Sequence, residues 1–327
     1  MPPLFSPVFL KATFLKVAFF IGITLAITAC EPQHPPYAFI TNQLSDNLSV
    51  IDTQTQTVIK TIDIGHRPAG IAVNQQSHQA FISNPEGQDI SILDTNTLNV
   101  TAHISVGAGP VGIASNKDGS LIYVADWYQH KVSVIDSQTH KITATIPVGN
   151  SPAGMIVNNN HLYLANRDDN TVMIIDTNTQ QILHTISVGT APFGLALSPD
   201  GETLYSVNVR SSDVSVIDIK TAQVTKTINV GSWPYCAVVS PDGLHLYVTN
   251  QDDSTISIID TVNPSIISTV DVGDSPEGID ITSDGQFVYV SNWGDGTVSV
   301  INTKTYLVDK TITTGQGSRA FGQFISP

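Results

Sequence analysis

The sequence predicts an all-β chain: a seven-bladed β-propeller of four-stranded blades, its ring closed by the C-terminal strand joining the N-terminal blade. Three observations predict it. A short phrase recurs at a period close to 42 residues, each period holds four strand-like segments, and the last segment, "RAFGQFI" 319–325, aligns with the strands that open the other units. Composition agrees: the chain is rich in Thr, Ser, Asn, Gln, Val and Ile, with 13% charged and 41% hydrophobic residues. That balance favours strands and turns over helices and supplies ample apolar material for a core.

The recurring phrase is "YAFITN" 37–42, "QAFISN" 79–84, "LIYVAD" 121–126, "HLYLAN" 161–166, "TLYSVN" 203–208, "HLYVTN" 245–250 and "FVYVSN" 287–292. Its last residues are spaced 42, 42, 40, 42, 42 and 42 apart, and the residue three before each is aromatic. An alternating segment such as "NLSVID" 47–52 follows, with the period of two of a half-buried strand. It ends in Asp-Thr turns (Asp52-Thr53, Asp94-Thr95, Asp176-Thr177), where a short side chain bonds its own backbone. A third strand stops at Gly65, Gly107, Gly149, Gly189, Gly231, Gly273 or Gly315. From that glycine the pattern G-x-x-P-x-G opens a fourth strand, usually closed by an Asp-Gly turn. The spacing of 40 arises because "VNNNH" 157–161 lacks two residues of that turn.

These phrases resemble the YVTN-repeat propeller family, whose signature stands unaltered at Tyr247-Val248-Thr249-Asn250, and the resemblance extends over residues 37 to 326. It implies the seven-bladed fold. It leaves function open, because the family hosts surface-layer, binding and quinoprotein-like members.

Lys11 and Lys16 precede "VAFFIGITLAITA" 17–29, an uncharged run of 13 residues. A membrane span needs roughly 20, so the run fits the hydrophobic region of an export signal. It ends at "ITAC" 27–30, which resembles the lipobox of a bacterial lipoprotein, with Ile27 and Ala29 matching. The resemblance implies cleavage before Cys30 and acylation of that residue, a durable anchor. The expected organisation is a signal peptide over 1–29, the lipidated Cys30 and a short tether over 30–36, and the propeller over 37–327. The expected location is the bacterial cell envelope. Glu31 stands where inner-membrane retention in enteric lipoproteins uses Asp, which favours the outer membrane. With Cys30 lipidated, only Cys236 remains, and no disulfide forms within the mature chain.

Net charge is −14, and from Cys30 onward 12 basic residues face 28 acidic ones. Such a chain repels phosphate backbones, which excludes nucleic acid as a partner.

Strand direction places the loops after the recurring Asn and the G-x-x-P loops on one face, the top, while the N-terminus enters at the other. The tether therefore turns the bottom face to the membrane and the top face outward. The recurring Asn, with Asp126 in its place in the third unit, stands in every unit and reads as architecture, its side chain capping loop backbone. The variable residues around it and around the loop prolines supply the candidate binding set: Arg67, Trp127, Tyr128, Arg167, Phe193, Trp233, Tyr235, Glu277, Trp293 and Arg319. All three tryptophans fall on this face. Aromatics with Arg are the usual anchors of interfaces, the alternative being that each Trp is a lid on a neighbouring blade.

Other constellations carry less. Asp168-Asp169, Asp252-Asp253 and Asp295 are oxygen ligands of the type Ca²⁺ takes, but no loop repeats a full ligand set. The fourth strands offer one charge, Asp280, against the several carboxylates of propeller lactonases. Only His66 and His130 reach the top, in different blades, and the sequence places no evident partner beside either. Cys236 occupies a slot held elsewhere by Gly or Ala320 and reads as steric. "GAGPVG" 107–112 opens no helix and is no dinucleotide motif.

The expectation is a monomeric, non-catalytic binding or scaffold module without cofactor, anchored to the membrane, that takes a protein, glycan or small-molecule ligand on its top face. Two alternatives stand beside it: a periplasmic quinoprotein-like or cofactor-handling redox accessory, and a surface-layer or adhesin-type protein.

Overall fold

The computed structural model describes residues 36–326 together with residues 1, 3 and 4. Cys30, the hydrophobic run before it and the tether up to residue 35 lie outside the described residues. From Tyr37 the chain forms 28 strands in seven sheets, which are the seven predicted blades. The second blade is β4 (Gly70–Asn74), β5 (Gln79–Asn84), β6 (Asp89–Asp94) and β7 (Asn99–Ser105), each antiparallel to the next. The blades that open with β8 (Pro110–Ser115), β12 (Pro152–Asn158), β16 (Pro192–Leu197), β20 (Pro234–Val239) and β24 (Pro276–Ile281) repeat this order. The strand that the G-x-x-P motif opens is innermost and lines the central channel. The alternating outer strand faces solvent with every second residue.

The first blade supplies three strands, β1 (Tyr37–Asn42), β2 (Asn47–Asp52) and β3 (Thr57–Asp63), from the N-terminal side. Its inner strand comes from the C-terminus. Segment 318–326 runs antiparallel to β1, with Phe39 N donating to Phe324 O at 2.9 Å, Ser326 N to Tyr37 O at 2.8 Å and Arg319 N to Thr41 O at 2.8 Å. Within it β28 (Phe321–Gln323) also pairs parallel with β4. Asp280, the lone charge predicted deep in the inner strands, accepts at Oδ2 from Phe324 N and Ile325 N, both at 2.8 Å. This carboxylate pins the closing segment to the seventh blade. Pro36 lies against the first bottom turn, its carbonyl accepting from Thr53 N and Oγ1, so the described chain enters at the bottom face.

The recurring phrase builds the interior. Its aromatics Phe39, Phe81, Tyr123, Tyr163, Tyr247 and Tyr289 are among the largest fully buried side chains. Its terminal Asn reaches further than loop backbone: Nδ2 donates to side chains five and seven residues on, as Asn84 does to Asp89 and Ser91 and Asn292 to Thr297 and Ser299. Oδ1 of Asn166 and Asn250 accepts from Gly149 N and Gly231 N of the neighbouring loop. Bottom turns close as predicted, Asp52, Asp94, Asp136 and Asp176 each accepting at Oδ1 from two following amides. The second glycine of G-x-x-P-x-G is needed because inner strands crowd at the axis: a Cβ on Gly154 would stand 2.3 Å from Phe193 O. Cys236 takes that slot in the sixth blade, buried, with its thiol pushed up by burial.

The closing segment buries Ala320, Phe321, Phe324 and Ile325. Losing two buried Phe alone removes about 6–10 kcal/mol, comparable to the total stability of a domain. A chain ending at Gly315 is therefore expected to lose its cooperative melting transition in circular dichroism; a truncated protein that still melts sharply within a few degrees of the full chain would refute the clasp.

Burial pushes the Asp280 carboxyl up to about 6, its three backbone amides only partly opposing the shift. A carboxyl raised in the folded state contributes stability that is complete below its unfolded value of 3.8 and is lost as pH rises through about 6. Two such units correspond to about 3 kcal/mol. The wild type is expected to melt higher at pH 5 than at pH 7.5, and Asp280→Asn to flatten that difference. Parallel melts of the two proteins at both pH values measure it.

Candidate functional site

Each inner strand from β8 to β24 has a bulge directly after its proline, as between Pro192 and Leu195, Pro234 and Ala237, and Pro276 and Ile279. A bulge re-aims the side chain it carries. Here it turns the residue after the proline toward the top of the channel. Around the ring these residues are Ala69, Val111 and Ala153 on three successive blades, then Phe193, Tyr235 and Glu277 on the next three, and on the last blade Arg319 at the equivalent position, where Ser318 replaces the proline. The mouth is thus lopsided, lined by small residues on one side and by large functional ones on the other.

A second repeat position completes it. The residue directly after the recurring Asn or Asp is Trp127, Arg167, Val209 and Gln251 in the third to sixth blades. Together with Phe193, Trp233, Tyr235 and Glu277, these four line an open cup of about 340 Å³. Below it the channel holds a further cavity of about 320 Å³, walled by the inner strands. Phe193 borders both and separates them.

Phe193 is 3% exposed and centres the aromatic wall. Its ring lies 4.2 Å from Tyr235, 5.3 Å from Phe321 at an interplanar angle of 79°, and 6.4 Å from Trp127. An arginine stands at each end of this wall. The Arg167 guanidinium sits 5.7 Å over Trp127, and that of Arg319 sits 5.9 Å over Tyr235 and 5.4 Å over Phe321. Arg319 Nη2 donates to Tyr235 Oη at 2.7 Å, and Gln251 Nε2 to Glu277 Oε1 at 2.8 Å. Arg319 Nε and Glu277 Oε2 lie 2.7 Å apart in a bent geometry, so charge holds them while neither completes a linear hydrogen bond. Glu277 is 4% exposed, and burial raises its carboxyl above the usual range despite the opposing pull of Arg319. Burial likewise raises the Tyr235 hydroxyl, so Tyr235 is a neutral donor or acceptor.

Seven of the ten predicted residues converge here: Trp127, Arg167, Phe193, Trp233, Tyr235, Glu277 and Arg319. Phe193, Tyr235 and Glu277 belong to the inner strands rather than to projecting loops, because those strands begin at the proline. Trp233 is 47% exposed in left-handed backbone at φ 51°. Arg67, Ser151, Ala191 and Ser275 share that conformation at the equivalent position, so the fold imposes the backbone while the aromatic side chain is particular to Trp233.

Three predicted residues lie elsewhere. Arg67 stands beside Glu86, with 3.7 Å between the charges. Tyr128 is 69% exposed against Gly109. Trp293 donates from Nε1 to Gln43 Oε1 at 3.1 Å and covers the seam between the seventh and first blades, a lid. Sequence reasoning missed Val209 and Gln251, although each shares the repeat position of Trp127 and Arg167.

The acidic loops are occupied by their own backbone. Asp169, Asp253 and Asp295 accept from Asn150 N, Ser232 N and Asp274 N. Among the described residues no group of three His, Cys, Asp or Glu is arranged to hold a metal. Ser91, His103 and Asp89 meet on the second blade, but both partners approach the same nitrogen, Nδ1, at 3.1 and 3.8 Å, and the Ser91 hydroxyl also donates to Ile64 O. That geometry makes no nucleophile relay.

The solved structures similar to this chain share its fold. Hydrazine synthase of Kuenenia stuttgartiensis superposes with a TM-score of 0.70 at 23% identity, over 76% of this chain and 87% of that one. A functionally unknown protein from Desulfotomaculum acetoxidans gives 0.78 at 15% identity, over 89% and 98%. Dihydro-heme d1 dehydrogenase NirN in complex with DHE gives 0.65 at 12% identity, over 84% and 63%. No curated protein matches the chain. Residues 234–320 match the model of the cytochrome D1 heme domain, a segment that carries Tyr235, Gln251, Glu277 and Arg319. The YNCE-like β-propeller model matches residues 69–161 and 156–250, more than half of the chain, and the chain belongs to that family.

Proposed function

We propose that this protein is a membrane-anchored binding propeller of the cell envelope, non-catalytic, whose top-face cup takes a flat, acidic small molecule. One observation carries the reading: the continuous row from Arg167 over Trp127, Phe193 and Tyr235 to Arg319, with a cation at each end of an aromatic wall. The tilted rings offer apolar and edge contacts to an aromatic body, and guanidinium groups pair with acids at its margin. All four arginines of the chain, 67, 167, 210 and 319, belong to top loops or to the mouth, in a protein of net charge −14. Arg67, Arg167 and Arg319 each have a carboxylate partner there, Glu86, Asp168 and Glu277, so a ligand acid binds by exchanging with such a partner. A volume of about 340 Å³ lies at the small end of ligand pockets, so a larger molecule inserts one edge and leaves the rest in solvent. The lipid anchor at Cys30 and the outward-facing top belong to this proposal and are supported by the lipobox-like "ITAC" and by the entry of Pro36 at the bottom face.

A second reading is favoured by the match of residues 234–320 to a heme domain: the acidic planar molecule is a tetrapyrrole. The residues fit its carboxylates and its flat face. They do not fit its iron, because the residues lining the cup include no His, Cys or Met, and the hydroxyl of Tyr235 is kept protonated by burial and already bonded by Arg319. Protoporphyrin IX and hemin are therefore expected to bind with equal affinity, the dimethyl ester of the porphyrin at least tenfold more weakly, and pyrroloquinoline quinone, a smaller flat polyacid, to compete with both. Tryptophan quenching titrations measure this. Failure of every acidic probe to bind, or equal binding of the ester, would overturn the proposal.

The two tryptophans separate binding from packing. Trp233→Ala is expected to weaken probe binding at least tenfold while shifting stability within about 0.5 kcal/mol, as exposed substitutions do. Trp293→Ala is expected to cost about 2 kcal/mol, through lost packing at the blade seam, and to leave binding unchanged. Melts and titrations on both variants distinguish the roles.

A further inference from the structure

Deepening the reading above, on which it rests, we propose that Glu277 is a displaceable counter-anion: an acidic group of the ligand takes its place on Arg319, and the complex takes up one proton. The geometry points to it because the Arg319 guanidinium is the cation of the mouth whose counter-ion is buried: Glu277 neutralises it at 2.7 Å, without completing a linear hydrogen bond. A ligand carboxylate brought to Arg319 would put two negative groups beside one positive charge, one of them the buried Glu277. Like charges so placed do not both stay ionised. Glu277, 4% exposed and held at its other oxygen by the Gln251 amide, is the one that protonates. The incoming group remains hydrogen-bonded by the guanidinium.

The groups around Glu277 leave it as the titrating element at the cation. From the closing segment it faces Arg319, and from β20 Tyr235 and Cys236, whose hydroxyl and thiol burial keeps protonated. Gln251 meets it from the loop after β21 (His245–Asn250) and does not titrate. Arg167 lies across the cup. Asp280, three residues further along β24, bonds the amides of Phe324 and Ile325 and belongs to ring closure.

The test is isothermal titration of the full-length chain in detergent micelles with pyrroloquinoline quinone, whose carboxylates stay ionised between pH 5.5 and 8. Uptake of one proton makes the affinity fall by up to about tenfold per pH unit over that range. It also makes the binding enthalpy depend on the buffer's ionisation heat. Glu277→Gln, verified as folded by its melt, is expected to bind about tenfold or more tighter at pH 7.5 and with no pH slope. Asp280→Asn is expected to keep the wild-type slope, since its carboxyl is remote from the cation. Binding that is flat with pH in the wild type, or a slope that survives in Glu277→Gln, overturns this inference while leaving the cup as an anion site. Absence of binding in both proteins at every pH overturns the cup reading together with it.

Discussion

Closure of the ring is the constraint on which both the fold and the site depend. Seven blades arranged around an axis leave one open inner edge unless the last segment of the chain returns to the first blade, and here segment 318–326 does so through main-chain bonds to β1 and β4. An unclosed edge would expose unpaired amides and carbonyls along the channel. The same segment carries Arg319 and Phe321, which complete the mouth. The partner strand β24 does double duty as well: Asp280 holds the amides of the segment at mid-channel, and three residues above it Glu277 holds its guanidinium. Two carboxylates on one strand thus serve two purposes at two depths, one fixing backbone and one meeting a side chain. Both are raised by burial, and the difference between them lies in their partners: backbone amides that are already satisfied, against a cation that keeps donors to spare.

Repetition and its breaking divide architecture from recognition. Positions that every blade fills alike do structural work, as the buried aromatic, the Asn that ties one strand to the next and the Asp of the bottom turn show. The bulge after the proline also recurs, in five of the seven blades, and aims one side chain of each at the mouth. Only the identity of that side chain varies, from Ala69 and Ala153 to Phe193, Tyr235, Glu277 and Arg319. A ring of seven equivalent positions becomes a directional site because its large members occupy consecutive blades.

The fold was legible because the period is written in residues whose burial is obligatory. An aromatic three before Asn, alternation at period two and glycines at the axis each answer to a physical demand that recurs in every blade, so their spacing fixes blade number, strand order and closure. The candidate site was legible in part, through the residues flanking the loop prolines. The distinction between Trp233, which lines the cup, and Trp293, which seals a seam, was not. Both are tryptophans on one face, and what separates them is whether Gln43 of the adjacent blade stands within reach of the indole N–H, a contact between residues 250 positions apart. Val209 and Gln251 were overlooked for the opposite reason, since neither residue type draws notice outside its repeat position.

The contact of Arg319 with Tyr235 and Glu277 ties the edge of the cup to the closing segment. A ligand acid held by Arg319 is held by the segment that closes the ring, so ligand and clasp share one free energy. Opening of the clasp withdraws Arg319 and Phe321 from the aromatic wall, leaving Glu277 without its cation and Phe193 without its edge-on neighbour. A bound ligand therefore resists fraying at the one place where a circular fold made from a linear chain is weakest. The cup itself is built by the third to seventh blades, and Arg319 is the residue that links its edge to the segment closing the ring.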